Sequence, residues 1–264
     1  MKINNNLISD NFMADKSWLH RLDVGEEIDA YFTSRGMDAD ASNPYSGFNV
    51  CHYSGDDLSH VADCRRLLCE TMGIAEDSLI VPRQTHSSKV LLIDSLPVSD
   101  GQLEDVDGIV TTLKDIVIGV STADCVPVVL SDIKSGVVGV AHAGWRGTVN
   151  GIIENIVDTM VSAGAKTDGI KVAMGPSICS ECFEVGEEVA SVFPNSCVGR
   201  RINWEKPHVN LHNYIREKLI YLGLAERNIK QFDNRLCTKC HPLEFFSARV
   251  LGVKSGRIFT FIKR

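Results

Sequence analysis

The sequence predicts an α+β fold, a single-domain sandwich of mixed β-sheet with flanking helices. Short, β-branched apolar runs cluster in the middle of the chain with only a few turn residues between them. Only a few helical patterns separate these groups, whereas a regular βαβ array needs a helix between successive strands. Because no repeat or linker composition interrupts the chain, residues 1–264 are predicted to form one domain, with residues 1 to about 25 as a candidate peripheral extension.

The predicted elements follow from the period of the apolar residues. Strands are predicted at 79–81, 90–93, 108–112, 116–120, 126–130, 137–141, 170–174, 244–250 and 258–262. Helices are predicted at 59–72, 152–161 and 211–222, and in the second of these Ile152, Ile156 and Met160 lie on one face while Gly164 marks the end.

Composition and charge argue against two classes of partner. The chain has 27 basic and 34 acidic residues, a formal charge of −7, so no nucleic acid is expected to bind. The longest apolar stretch, 116–130, is interrupted by Asp124 and is too short to span a bilayer, so no membrane partner is expected. The first dozen residues are polar and lack the apolar segment of a secretory signal. These features predict a cytoplasmic protein.

Three residues that can bind a metal each lie at the end of a predicted strand. They are His86, Cys125 and His142. Two imidazoles and a thiolate suit zinc, and three protein ligands leave a fourth position open for water or substrate. Bound zinc lowers the pKa of water to about 7, which permits a hydrolytic or deaminating step. The turn from Gly144 to Gly147 leads into a helix predicted to begin near Thr148, whose free N–H groups favour an anion.

The residues alone leave other readings of this trio open. Cys125 and His142 could be the nucleophile and base of a thiol hydrolase. Two histidines and a cysteine also resemble a blue-copper ligand set, so copper and a laccase-like oxidase activity stay open, although the chain has no H-x-H pair. A zinc-stabilised interaction module without catalytic activity is the third alternative.

Two C-x-x-C pairs occur outside the trio. Cys179 and Cys182 form one pair, and Cys237 and Cys240 form the other. Together they could hold a second, structural zinc, but the separation between the pairs is much longer than in zinc ribbons, which favours buried reduced thiols. The Cys237 pair is followed by His241, which matches the c-type haem attachment pattern; without a visible export signal, haem is not expected.

Six motifs resemble those of one known family. In chain order they are QTH, DGIVTT, TADCVPVVL, AHAGWRGT, GPSICSECFEVGEEV, and FFSAR followed by GR. Over roughly residues 30–262 the chain thereby resembles the YfiH family of purine nucleoside phosphorylases, also described as polyphenol oxidases with a laccase domain. This resemblance implies zinc on His86, Cys125 and His142, phosphorolysis of adenosine, inosine and S-methyl-5′-thioadenosine, and deamination of adenosine.

The resemblance also implies residues that contact the substrate. It places Arg35, Asn49, Gln84 and Arg146 around the pocket as contacts to the nucleoside or to phosphate. In the expected mechanism Asp124, or a second water, handles the proton during attack on purine C6. The expected partners are thus a small purine nucleoside and phosphate, bound by a monomer or small homo-oligomer.

The chain departs from the family pattern at three places. Ser87 stands where a glycine usually follows the first metal histidine, Gly36-Met37 replaces a double glycine, and Ala248 stands where a tyrosine is common before Arg249. None of these positions is an expected metal ligand, but each leaves the substrate preference open.

Overall fold

Two five-stranded mixed sheets form the centre of the fold, seen in a computed structural model that describes residues 16–37, 39–40, 42–202 and 204–264. In chain order the strands are β1 (Leu19–Arg21), β2 (Asp29–Thr33), β3 (Leu79–Ile80), β4 (Val90–Ile93), β5 (Gly108–Thr111), β6 (Val117–Thr122), β7 (Val126–Asp132), β8 (Val137–Ala143), β9 (Lys171–Met174), β10 (Val198–Gly199), β11 (His208–Val209) and β12 (Ile258–Lys263). The first sheet has the order β1-β2-β12-β6-β3, the second has the order β4-β5-β8-β7-β9, and β10 pairs with β11. Each five-stranded sheet contains one parallel pair, β3 with β6 or β4 with β5.

Seven α-helices flank the two sheets in the described part of the chain. They are α1 (Leu58–Met72), α2 (Asp100–Leu103), α3 (Trp145–Val149), α4 (Ile152–Ser162), α5 (Glu187–Ala190), α6 (Leu211–Tyr221) and α7 (Ala248–Leu251). The carboxylate of Asp57 caps α1 by accepting from the N–H groups of Ser59 and His60, and Gly73 ends the helix in the left-handed conformation. Among the described residues, no helix is long and apolar enough to cross a bilayer.

Strand alternation divides the apolar side chains among three layers of core. On β6, Ile118 and Val120 pack between the sheets, whereas Val117 faces α1 together with Phe259 and Phe261 of β12. On the far side of the second sheet, the apolar stripe of α4 packs with residues of β7, β8 and α6. The order of layers is therefore helix, sheet, sheet, helix, and the central core is shared by both sheets.

The structure confirms the predicted fold class and most of the predicted elements. All three predicted helices are present, and the predicted strands at 90–93, 126–130 and 137–141 are β4, β7 and β8. The predicted strand at 244–250 is wrong. Phe245 and Phe246 are fully buried, but they belong to an irregular segment that leads into α7, so their burial reflects packing beneath a loop.

Both ends of the sequence contribute to the first sheet. The edge strand β1 pairs with β2, and Trp18 is buried against Phe48 at a centroid distance of 4.0 Å. Residues 1–15 of the expected extension lie outside the described residues. The sequence analysis did not predict strands β1 and β2, although Ile28, Ala30 and Phe32 alternate into the core between the sheets.

We expect Gly119→Ala to lower the free energy of unfolding by about 1–3 kcal/mol, because an added methyl overpacks the core. A Cβ at Gly119 would lie 2.2 Å from the Phe259 ring and 2.8 Å from Cβ of Phe261. Gly101→Ala is the matched control, since its Cβ would meet no atom within 4 Å. Urea denaturation measures both; equal stability of the two variants would contradict this account of the β6–β12 packing.

Candidate metal centre and active site

The register of the second sheet brings Asp107, Cys125 and His142 to one edge. His142 is the penultimate residue of β8 and pairs with Pro127 of β7, so Cys125, just before β7, lies beside it. Asp107 immediately precedes β5, and its carbonyl accepts a hydrogen bond from the backbone N–H of His142 at 2.7 Å. Antiparallel pairing thus places residues far apart in the chain at a single point on the sheet edge.

His86 reaches the same point from the segment between β3 and β4. Its Nε2 lies 3.7 Å from Cys125 Sγ, and the imidazole rings of His86 and His142 are 4.7 Å apart between centroids. One potential ligand atom from each of the three residues lies within 4.8 Å of the others. The structure therefore brings together the three residues that the sequence predicted as metal ligands.

Asp107 is the residue that orients this group, and the sequence analysis did not single it out. Its Oδ1 accepts from His142 Nδ1 at 2.7 Å, and its two oxygens also accept from the backbone N–H groups of Thr85, His86 and Ser87. Because a carboxylate only accepts, Nδ1 of His142 carries a proton, and Nε2 is the nitrogen that can bind a metal once it has lost its own proton. The signal was present in the sequence: Asp107 is the acidic residue of the DGIVTT motif.

Electrostatics favour the thiolate form of Cys125. Burial alone would raise the pKa of this thiol, but its interactions with His142 and then His86 lower the pKa to about 6. Burial would lower the pKa of His142, and the opposing influence of Cys125 and Asp107 raises it to about 9. A thiolate is the form in which cysteine binds a metal or attacks a substrate.

Two glycines allow the ligand segments to approach one another. A Cβ at Gly144 would lie 2.7 Å from Cδ2 of His86 and 3.0 Å from Cys125 Sγ. A Cβ at Gly147 would lie 2.6 Å from the Ser87 carbonyl oxygen. Close packing of the backbone against His86, Cys125 and Ser87 therefore explains the two glycines of the AHAGWRGT motif.

Ser87, where the family usually has glycine, takes part in the same network. Its hydroxyl lies 2.8 Å from Asp107 Oδ2 and 2.7 Å from the carbonyl oxygen of Asp105, so its single proton can be donated to either of these acceptors. This departure from the family pattern therefore adds a donor to the buried carboxylate.

Asp124 is held in place by other side chains. Its Oδ1 accepts from the side-chain hydroxyls of Thr238 at 2.7 Å and Ser247 at 2.6 Å. Its Oδ2 accepts from the backbone N–H of Arg249 at 2.8 Å. The residue has φ +86°, in the left-handed region. Asp124 therefore fixes the turn that presents Cys125, with its carboxylate bound to three donors.

Three of the four predicted substrate contacts are bound within the protein. The fully buried Arg35 donates to the carbonyls of Asp40, Asn43, Ser46 and Pro242. The amide of Asn49 binds Ser54 and Asp56, and that of Gln84 bridges both backbone groups of Ser121. Arg146 differs, because its side chain is exposed, with the guanidinium 4.4 Å above the Trp145 ring.

The helix after Gly144 begins earlier than predicted. Trp145 starts the five-residue α3, and Gly151, at φ +97°, separates α3 from α4. The predicted single start near Thr148 is therefore wrong, and Arg146 lies in the first turn of α3, one residue after Trp145.

The four cysteines of the C-x-x-C pairs form a second cluster. Their sulfur atoms also lie within 4.8 Å of one another. The expectation of buried thiols holds for Cys179 and Cys237 only, since Cys182 is half-buried and Cys240 is exposed.

A separate cavity of about 500 Å³ is lined by His212, among others, and none of the three metal-ligand candidates lines it.

The fold and the His86, Cys125 and His142 group define an α+β sandwich in which two histidines and one cysteine at a sheet edge could hold a metal ion. The chain belongs to the family described as multi-copper polyphenol oxidoreductase laccase, which it matches over residues 29–264. The predicted membership of the YfiH and laccase-like family, and the prediction of an enzyme, are thereby confirmed.

Relatives and solved structures agree with this assignment. The chain is 44% identical to adenosine deaminase RL5, from an unknown prokaryotic organism, over 93% of this chain and 98% of the relative. It is 36% identical to a purine nucleoside phosphorylase of Bacteroides thetaiotaomicron, over 89% and 91% of the two chains. The crystal structure of the hypothetical protein YfiH of Bacillus licheniformis aligns with a TM-score of 0.83 at 26% identity, covering 94% of this chain and 97% of that one.

We expect Asp107→Ala to weaken metal binding by about 10–100-fold, the usual effect of removing the hydrogen-bond partner of a ligating histidine. Asp94→Asn, an exposed carboxylate after β4, is the control and should bind as the parent protein does. Competition with a chromogenic chelator measures both affinities. An unchanged affinity in the folded Asp107→Ala protein would show that His142 is oriented by something else.

Proposed function

We propose that this protein is a zinc-dependent enzyme that phosphorolyses purine nucleosides (adenosine, inosine and S-methyl-5′-thioadenosine) and also deaminates adenosine. The observation that carries the proposal is the convergence of His86, Cys125 and His142 within 4.8 Å. The names of the relatives, adenosine deaminase and purine nucleoside phosphorylase, support this choice of substrate class. We also place the enzyme in the cytoplasm, where its nine free cysteines would stay reduced.

The donor set fits a zinc ion. Two imidazoles and a thiolate are borderline-soft ligands, and Asp107 supplies the carboxylate partner that zinc-binding histidines usually have. Three ligands rather than four leave room for a substrate, and the exposed side chain of His86 places that side of the group toward solvent. When bound, zinc supplies Lewis acidity and makes water a competent nucleophile near neutral pH.

The chain's own residues have distinct roles in this proposal. His142 is fixed by Asp107, and Cys125 is fixed by the turn at Asp124, so we assign Asp124 a positioning role instead of the proton transfer expected from the sequence. Arg146 is the group available to bind phosphate, because its guanidinium is exposed. We infer that Arg35, Asn49 and Gln84 shape the surrounding segments through their internal hydrogen bonds.

We expect His86→Ala and Cys125→Ser each to reduce adenosine turnover by more than about 100-fold, because loss of the hydrogen-bond partner of a metal ligand alone typically costs about 10–100-fold. Purified, metal-quantified protein is incubated with adenosine, with and without phosphate. Adenine and ribose 1-phosphate report phosphorolysis, and inosine reports deamination.

The matched control is Cys69→Ser, which removes a buried thiol from α1, away from the centre. It should retain both turnover and zinc. If folded His86→Ala and Cys125→Ser proteins kept parental rates, the three residues would have no part in the chemistry. Copper as the bound metal, with oxidation of phenols and no nucleoside product, would favour the oxidase activity that the family description names.

We expect Arg146→Ala to raise the KM for phosphate by about 10–100-fold, since a hydrogen bond to a charged group contributes about 1.5–3 kcal/mol. Deamination and zinc content should be unchanged, because neither needs phosphate. Arg146→Lys keeps the charge but loses the bidentate geometry and should be intermediate. Equal loss of both reactions would indicate that Arg146 supports the fold of α3 instead.

One observation favours a second candidate function, that of a thiol hydrolase. The lowered pKa of Cys125 beside His142 is also what a cysteine nucleophile requires. The two functions differ in their dependence on metal. A chelator should abolish turnover of the zinc enzyme and leave a thiol hydrolase active, whereas iodoacetamide should inactivate the metal-free hydrolase.

A further inference from the structure

The second cysteine cluster is made by two C-x-x-C turns that are distant in sequence. Cys179 and Cys182 follow β9, and Cys237 and Cys240 come before α7. The turns meet because Ser177 forms a parallel β-bridge with Cys237, and the N–H of Thr238 donates to the Ser177 carbonyl at 3.1 Å. The long sequence separation that argued against a shared site is thus closed by the fold.

The spacing of the four sulfur atoms is that of metal ligands. All four lie within 4.8 Å of one another, and the sulfurs of Cys182 and Cys240 are 3.5 Å apart. Zinc with Zn–S distances of about 2.3 Å at tetrahedral angles requires sulfur atoms about 3.8 Å apart. A disulfide would need about 2.05 Å. The observed spacing is therefore close to that of a tetrathiolate site.

The local backbone supports ionised sulfur. The carbonyl of Cys179 accepts from the N–H of Cys182 at 3.0 Å, which closes a tight turn, and the N–H of Cys179 donates to Cys237 Sγ at 3.4 Å. Burial alone would raise the pKa of Cys237, but the N–H groups of Cys179 and Cys240 lower it below the usual range.

We propose that Cys179, Cys182, Cys237 and Cys240 bind a second zinc ion in a closed, structural site. Four thiolates fill the tetrahedral shell and leave no position for substrate, in contrast to the three ligands of the first centre. Cys179 and Cys237 are buried, whereas Cys182 is half-buried and Cys240 is exposed. An ion can therefore reach the cluster from solvent on the side of Cys182 and Cys240.

This zinc would hold the two segments that support Asp124. The N–H of Ile178, next to Cys179, donates to the Asp124 carbonyl at 2.9 Å. The hydroxyl of Thr238, next to Cys237, donates to the Asp124 carboxylate at 2.7 Å. Joining the turns through one ion therefore fixes the residue that precedes Cys125.

The test uses the full chain purified under reducing conditions. It measures how many zinc ions each chain binds and how many sulfur atoms coordinate them. We expect two zinc ions per chain in the parent protein, one in the doubly substituted His86→Ala, Cys125→Ser protein, and one in the Cys182→Ser, Cys240→Ser protein. In the first variant, X-ray absorption at the zinc edge should show an all-sulfur shell near 2.3 Å. Lys239→Ala, an exposed change within the second turn, is the control and should keep both ions.

Several results would overturn the proposal. They are a single zinc in the parent protein that disappears with His86→Ala and Cys125→Ser, nitrogen in the shell of the remaining ion, iron in place of zinc, or a Cys182–Cys240 disulfide in the reduced-purified protein. If the Cys182→Ser, Cys240→Ser protein fails to fold, the X-ray absorption measurement on the other variant still decides. None of these readouts depends on nucleoside turnover, and only the ion at the first centre rests on the proposed function. A single zinc in the parent protein that persists in the His86→Ala, Cys125→Ser variant would support the second site and argue against the proposed zinc enzyme.

Discussion

The hydrogen bonds to the buried carboxylate of Asp107 are the interaction on which the candidate metal centre depends. This one side chain joins three segments: it orients the ring of His142 on β8, holds the backbone of residues 85–87, and lies at the start of β5. A fully buried carboxylate is tolerated only when donors replace its lost hydration, and Asp107 has donors on both oxygens. The hydrogen bonds that stabilise the Asp107 charge therefore also set the positions of His86 and His142. They leave the Nε2 atom of each histidine, which faces the centre, uninvolved.

Backbone strain at the centre is compensated in the same way. His86 has φ +64° and Asp124 has φ +86°, conformations that cost a residue other than glycine about 1–3 kcal/mol. The strained turn at His86 is held by N–H groups bonded to Asp107, and the strained turn at Asp124 is held by donors to its own carboxylate. The turn at His86 directs His86, and the turn at Asp124 directs Cys125, toward the space between two strand ends. An ordinary β or α conformation at either turn would direct these side chains elsewhere. Side chains whose turns are held by such hydrogen bonds are preorganised, because binding a metal requires little further ordering of them.

The parts of the structure predicted from sequence are those encoded by local periodicity and residue chemistry. The stripe of Ile152, Ile156 and Met160 predicted α4, and the ligand types of His86, Cys125 and His142 together with the family resemblance predicted that these three residues meet. Tertiary packing explains why the predicted strand at 244–250 is wrong. The apolar residues Phe245 and Phe246 suggested a strand, but they fill space beneath a loop. The guanidinium of Arg35, an expected substrate contact, binds carbonyls of the surrounding loops, and its contact with a substrate stays a prediction. A polar residue in a family motif can serve such internal bonds or a ligand, and sequence alone does not separate the two.

The two sulfur-containing clusters differ in ligand number and exposure, and Asp124 connects them. Its carbonyl and its carboxylate are bound by residues adjacent to Cys179 and Cys237, and its peptide bond leads directly to Cys125. Movement of either C-x-x-C turn would therefore displace the Asp124 turn and, through one peptide unit, the sulfur at the first centre. Because Asp124 occupies a strained conformation, loosening its donors would favour relaxation away from the observed geometry. The four-cysteine cluster can thus affect the geometry of the first centre by keeping the Asp124 turn in place.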